Sequence, residues 1–225
     1  VAGWRRHGPG DACRLPTATD FSGRNVYRAS LLRLESLERA EADALRSGYM
    51  DPVLLFAKAR ALERLRAYDL AAQHYRESAR ISQELSPTAL ESAALCERFA
   101  DAMQIGLELT DPLAEVGAPL FTTDVDRVRF ELDERTTQLS IIESELSGSH
   151  YRYIAQEEIE RADMIRARYF RGMRFVLPDG TLLALQELQR VATRHGASKN
   201  RLRHLLALAD FYAQLAREYT EAVPP

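Results

Sequence analysis

Apolar residues return every three or four positions through most of this chain, and polar breaks between them divide it into helices. From Arg24 to Ser47 the face is Tyr27, Leu31, Leu34, Glu38, Ala42 and Leu45, and Gly48 offers a C-terminal cap. Asp51-Pro52 signals the next start, because Asp can cap and Pro suits the first helical position. Leu55, Ala59, Leu62 and Leu65 follow at helical spacing. After a break at Tyr68-Asp69 come Ala71, Tyr75, Ser78, Ala79 and Ile81. Ser86-Pro87 then opens a helix with Leu90, Ala94, Leu95, Cys96 and Phe99.

Asp111-Pro112, Gly117 and Pro119 interrupt the pattern and predict a linker over 111–123. Asp124 can cap a helix to about Leu146, where Val125, Val128, Leu132, Leu139, Ile142 and Leu146 keep a heptad-like spacing that Arg135 interrupts. Past Ser147-Gly148-Ser149 a second long helix carries Tyr151, Ile154, Ala162, Ile165, Tyr169 and Met173. So short a loop predicts an antiparallel hairpin with arms of roughly 35 Å. Leu177-Pro178-Asp179-Gly180 reads as a turn, with Thr181 capping a helix to about His195. The last helix starts near Ser198 and shows Leu202, Leu205, Leu208, Ala209, Tyr212 and Leu215, before a frayed Val223-Pro224-Pro225. The expected fold is all-α with about eight helices: an irregular segment 1–23, a helical subdomain 24–110, the linker, and 124–225.

Leu55, Ala59, Leu62, Tyr68, Ala71, Tyr75 and Ser78 follow the order large, small, large, aromatic, small, aromatic, small. That order resembles the tetratricopeptide repeat, in which small residues let paired helices approach closely. Two departures stand out: the terminal Pro is displaced to Pro87, and Lys58 occupies a position where an aliphatic residue is common. The series Ala71, Tyr75, Ser78, Leu95, Cys96, Phe99 recurs at equal intervals as Ala184, Leu188, Val191, Leu208, Ala209, Tyr212. The His195-Gly196-Ala197-Ser198 junction is similar to the helix junction of repeat proteins in bacterial envelopes. The resemblance implies a solenoid of helical hairpins at both ends, a periplasmic or envelope location with the cytoplasm as alternative, and a groove that binds another protein or peptide. On the repeat's pattern Val53, Phe56, Arg60 and Arg64 face that groove, followed by Leu90, Ala93, Glu97 and Asp101. Arg60 and Arg64 beside an apolar floor suit a peptide carrying a carboxylate.

Composition narrows the alternatives. Leu, Ala, Arg and Glu dominate and β-branched residues are sparse, which favours helices. A net charge of −3 gives no reason to expect nucleic acid. No apolar run approaches the ~20 residues of a membrane span. Val1-Ala2-Gly3-Trp4 is compatible with the remnant of a removed signal peptide, and Arg5-Arg6-His7 reads as a solvated tail. Two cysteines cannot build a disulfide framework; Cys96 is expected buried and reduced, not paired with Cys13.

The five histidines show no metal-ligand spacing beyond His74 and Glu77 on one face. Phosphate-binding glycine loops, nucleophile elbows and the Glu-x-x-His pairs of di-iron bundles are missing from the sequence, so neither catalytic residues nor a cofactor is expected. The charge run Glu157, Glu158, Glu160, Arg161, Asp163, Arg166, Arg168, Arg171, Arg174 reads as a solvated face, or alternatively as an Arg strip docking an acidic partner. The leading expectation is a non-enzymatic scaffold or adaptor. The alternatives are a structural or assembly subunit forming a homodimer or a filament contact through the 124–173 hairpin, and an unrecognised helical enzyme or ligand-binding bundle.

Overall fold

The computed structural model describes residues 25–47, 50–106, 124–146 and 148–222, and among them the fold is all-α, with nine helices and no strand. The chain divides into two compact units at Gln104/Ile105. Cys13, the Arg5-Arg6-His7 tail, Gly48, the expected linker at 111–123 and the last three residues lie outside the described residues.

The first unit contains α1 (Val26–Ala40), α2 (Ala42–Ser47), α3 (Asp51–Arg64), α4 (Tyr68–Ile81) and α5 (Ser86–Gln104). The single helix expected over 24–47 is two helices broken at Glu41, whose amide bonds the Leu37 carbonyl at 2.9 Å. Only α1 is anchored: Leu31 is buried, and the Tyr27 ring lies 5.3 Å from the Arg64 guanidinium. No residue of α2 is buried, so no core side chain aligns it with α1.

Helices α3, α4 and α5 pack in sequence order on small residues. Ala59, Ala71, Ser78, Ala89 and Cys96 are completely buried, with Tyr75 and Phe99 filling the space between helices. Tyr68 stacks on Phe99 with centroids 5.2 Å apart. The Ser78 hydroxyl donates to the Pro52 carbonyl at 2.8 Å, which ties α4 to the first turn of α3. Arg66, at φ 64°, turns the chain between them. Ala71 has no exposed surface, so Ala71→Leu is expected to overpack this contact and destabilise the protein by about 1–3 kcal/mol. A thermal melt that matches the parent would show that the helices are free to separate there.

The second unit contains α6 (Val125–Glu145), α7 (His150–Gly172), α8 (Gly180–Arg194) and α9 (Arg201–Ala222). Asp124 caps α6 by accepting from the Arg127 amide at 2.9 Å, and Ser149 caps α7 through the Tyr151 amide. The buried row of α6 is Val128, Leu132, Arg135, Leu139 and Ile142, so Arg135 belongs to the row rather than interrupting it. Its guanidinium donates to the Ile105 carbonyl of the same unit. Phe170, Ala184, Val191 and Phe211 meet at the centre of the core, one or more from each of α7, α8 and α9. The N-cap of α8 is Asp179 at φ 53°, not Thr181, which already lies within the helix.

Candidate functional site

The residues expected to line a binding groove are mostly engaged in holding the first unit together. Phe56 does not turn away from its hairpin mate: its ring meets Tyr75 of α4 edge-on at 5.0 Å. Arg60 lies 6.0 Å from the Phe56 ring and 3.6 Å from the Glu63 carboxylate. Arg64 lies over Tyr27, and Glu97 pairs with Arg76. Ala93 is buried. What remains open is Val53 at 45% and Leu90 at 51% of full exposure, with Arg60 and Asp101 also exposed.

Behind them sits a buried carboxylate that sequence reasoning missed. Glu63 of α3 accepts from the Tyr75 hydroxyl at 2.9 Å, and the Cys96 sulfur of α5 lies 4.0 Å from the same oxygen. One side chain thus bridges three helices. Burial first, and then the Glu63 charge, push the Cys96 thiol well above its ordinary range, so it stays protonated and unreactive. Lys58 is buried as well, and its ammonium is met by Glu38 of α1. The aliphatic stem fills the position where an aliphatic residue was expected.

His74 on α4 is pushed down to about 4 by burial and then by the Lys58 charge. The folded state therefore keeps His74 neutral where the unfolded chain, at its ordinary value of 6.5, already binds a proton. Stability contributed this way is complete above pH 6.5 and lost as pH falls from there towards about 4. The first unit is expected to weaken over that window, and His74→Gln to flatten the loss. Denaturant titrations of both proteins across this range measure it, and parallel profiles would exclude His74 as the cause.

In the second unit the run 156–174 is not the solvated face expected of it, since Glu158, Glu160, Asp163 and Arg174 are buried. Asp163 of α7 takes Arg190 at 2.7 Å, Arg194 at 3.0 Å and the His195 ring N–H at 2.8 Å. One turn earlier, Glu160 accepts from Ser198 at 2.8 Å, from Asn200 at 3.2 Å and from the buried His204. Burial alone would raise both carboxyls. The hydrogen bond from His195 with the Arg190 and Arg194 charges holds Asp163 below its ordinary range, and the bonds from His204, Ser198 and Asn200 do so for Glu160. Ser198 donates to the Glu160 carboxylate and accepts from the Asn200 amide at 3.0 Å, which fixes the α8–α9 turn.

The Arg residues of the alternative reading, a strip docking an acidic partner, are likewise used internally. Arg166 pairs with Asp133 and Glu187, Arg174 with Glu218, and Arg171 reaches Gln214. The sequence signal for this cluster was the matching stock of Arg190, Arg194, His195, Ser198, Asn200 and His204 at the following helix junction.

An open depression of about 330 Å³ lies along α6, lined by Thr136, Thr137, Ser140 and Ser144 with Arg194. Each of these hydroxyls donates to a carbonyl of its own helix at 2.7–2.9 Å, and Arg194 is held by Asp163, so few donors converge on its interior. Among the described residues no group of three or more His, Cys, Asp or Glu is placed to hold a metal, and no helix is long and apolar enough to cross a membrane. In comparison with known proteins, no family model, curated protein or solved structure matches the chain.

Proposed function

We propose that this chain is a non-enzymatic scaffold or adaptor of a bacterial cell envelope, built from repeat-like helical hairpins, that binds another protein or peptide on the open side of α3 and α5. The observation that carries the reading is the exposure of Val53 on α3 and Leu90 on α5, helices whose Ala59, Ala93 and Cys96 are buried. A helix face of that kind offers apolar contact on a backbone that close packing already makes rigid. Arg60, seven residues on from Val53 along α3 and 3.6 Å from the Glu63 carboxylate, adds an exposed cation, and an exposed pair to it would contribute only about 0–1 kcal/mol. Affinity therefore comes from the apolar side chains, with Arg60 selecting a peptide that carries a carboxylate. The envelope location is supported by the repeat-like order of residues 55–78 and by the His195–Ser198 junction.

The test is selection from a random peptide library presented with free and with amidated C-termini. Apolar peptides with a free carboxylate should be enriched. Val53→Asp with Leu90→Asp should then weaken a selected peptide by at least about tenfold while helical circular dichroism holds. Retention of that peptide by the double variant would place the binding face elsewhere.

A further inference from the structure

The face of α9 that points away from the core carries more open apolar surface than one helix normally shows. Leu202 is 79% and Leu206 61% exposed, and Leu205, Tyr212 and Tyr219 are exposed too. Only His204 and Phe211 of its 22 residues are buried. The matching helix of the first unit behaves differently: Leu95, Cys96 and Phe99 of α5 are buried, whereas the equivalent Ala209 and Tyr212 of α9 stand in solvent, with Leu208 half-buried. The internal correspondence therefore breaks at α9. Its helix is seated on α8 through the Phe211 side, and among the described residues of the second unit no helix lies against the small-residue face.

That exposed face has its own register. Leu202, Leu206, Ala209, Ala213 and Ala216 follow one another at intervals of four and three, the seam of a two-helix coil. Along one edge run Arg203, Asp210 and Arg217, each seven residues from the next, so the charge alternates plus, minus, plus. Along the other edge run Leu205, Tyr212 and Tyr219. In an antiparallel pair each edge meets the same edge of its partner, and a two-fold axis makes every contact reciprocal.

We propose that this face binds a second copy of the chain, α9 against α9 and antiparallel, with the two-fold axis beside Leu206. One register satisfies all three rows together. Leu202 lies opposite the partner's Ala213 and Leu206 opposite the partner's Ala209, so each large side chain meets a small one. Arg203 then faces the partner's Asp210, and the reverse. Leu205 faces the partner's Tyr212. The shifted register that pairs Asp210 with Arg217 sets alanine against alanine or threonine at the seam and buries little. Among the described residues Arg203 and Asp210 form no ion pair within the chain, so both are open to a partner. The proposal is independent of the peptide-binding face on α3 and α5.

Sedimentation equilibrium of the full chain over a wide micromolar range is the test, with circular dichroism to confirm that each variant keeps its helices. The parent should be a concentration-dependent dimer, and Leu206→Glu should be a monomer. Arg203→Asp alone and Asp210→Arg alone set like charges together and should each weaken the dimer by at least about tenfold. Arg203→Asp with Asp210→Arg in one chain restores opposite charges on both sides and should recover the parent's affinity. A monomer at every concentration would overturn the proposal. So would a dimer indifferent to these charges, or one bound equally well by the double variant and either single. Peptide capture on α3 and α5 should be unchanged by all of them, which separates failure here from failure of the binding face.

Discussion

Replacing Gly180 by alanine is expected to cost stability on the order of 3 kcal/mol, among the larger effects of adding one methyl group. Gly180 begins α8 and is buried where the chain doubles back from α7. A Cβ built on it would lie 2.3 Å from the carbonyl oxygen of Arg174 and 2.7 Å from that residue's C and Cα. All three are backbone atoms, so no side chain can swing aside, and the turn 174–180 itself has to move. Gly180 also donates its amide to the Leu177 carbonyl at 3.0 Å, which holds the turn closed against any such movement. Shifting the turn moves Ala184, Leu188 and Val191 within the core of the second unit. Neighbouring Asp179, at φ 53°, offers a control: Asp179→Gly relieves a left-handed backbone and should be neutral or slightly stabilising. A melting temperature for Gly180→Ala equal to the parent's would mean that the turn adapts freely and does not set the start of α8.

The elements themselves were legible because their signals are local. Asp51-Pro52, Ser86 and Asp124 stand at or next to helix starts, and Ala59, Ala71, Ser78 and Cys96 are the small residues that close packing needs. Faces were less legible wherever a helix has neighbours on more than one side. Helix α3 is packed by α1 and by α4, so Leu54, Lys58 and Ala61 are buried along with Leu62 and Glu63, and Phe56 is drawn onto Tyr75. One apolar stripe understates such a helix. In α9 the error ran the other way, since a Leu- and Ala-rich sequence is compatible with several rotations, and which face is buried depends on where Phe211 and His204 find partners. Buried charge was illegible for a further reason. Glu63, Glu160 and Asp163 look like any other acidic residues in a helix until the donors that hydrogen-bond them, such as Tyr75, His204 and His195, are brought near from 12 to 44 positions away in the chain.

Asp163 carries the other large expectation. Asp163→Ala should destabilise the second unit by about 2–4 kcal/mol, because it strands the Arg190 and Arg194 charges and the His195 ring around a buried position. The figure is set below the usual cost of breaking a fully buried pair, since Arg190 and Arg194 retain 29% and 43% side-chain exposure and can be partly rehydrated. Asp163→Asn keeps the shape and isolates the charge, and its pH dependence has a definite sign. The carboxyl titrates below its ordinary 3.8 in the folded protein, so the folded state releases the proton more readily than the unfolded chain does. Its stabilisation is complete above pH 3.8 and is lost as pH falls through the lower folded value. Glu160, depressed from 4.5, adds a loss of the same sign in the same acid range. The stability gap between parent and Asp163→Asn should therefore be widest near neutrality and close as the solution is acidified below pH 3.8, beginning where the His74 window of the first unit ends at about 4. Chemical denaturation of both proteins at neutral pH and in this acid range reads the gap directly. A gap that stays constant down to the most acidic point would mean that Asp163 acts through packing alone, and that the Arg190, Arg194 and His195 contacts contribute no net charge stabilisation to the α8–α9 turn.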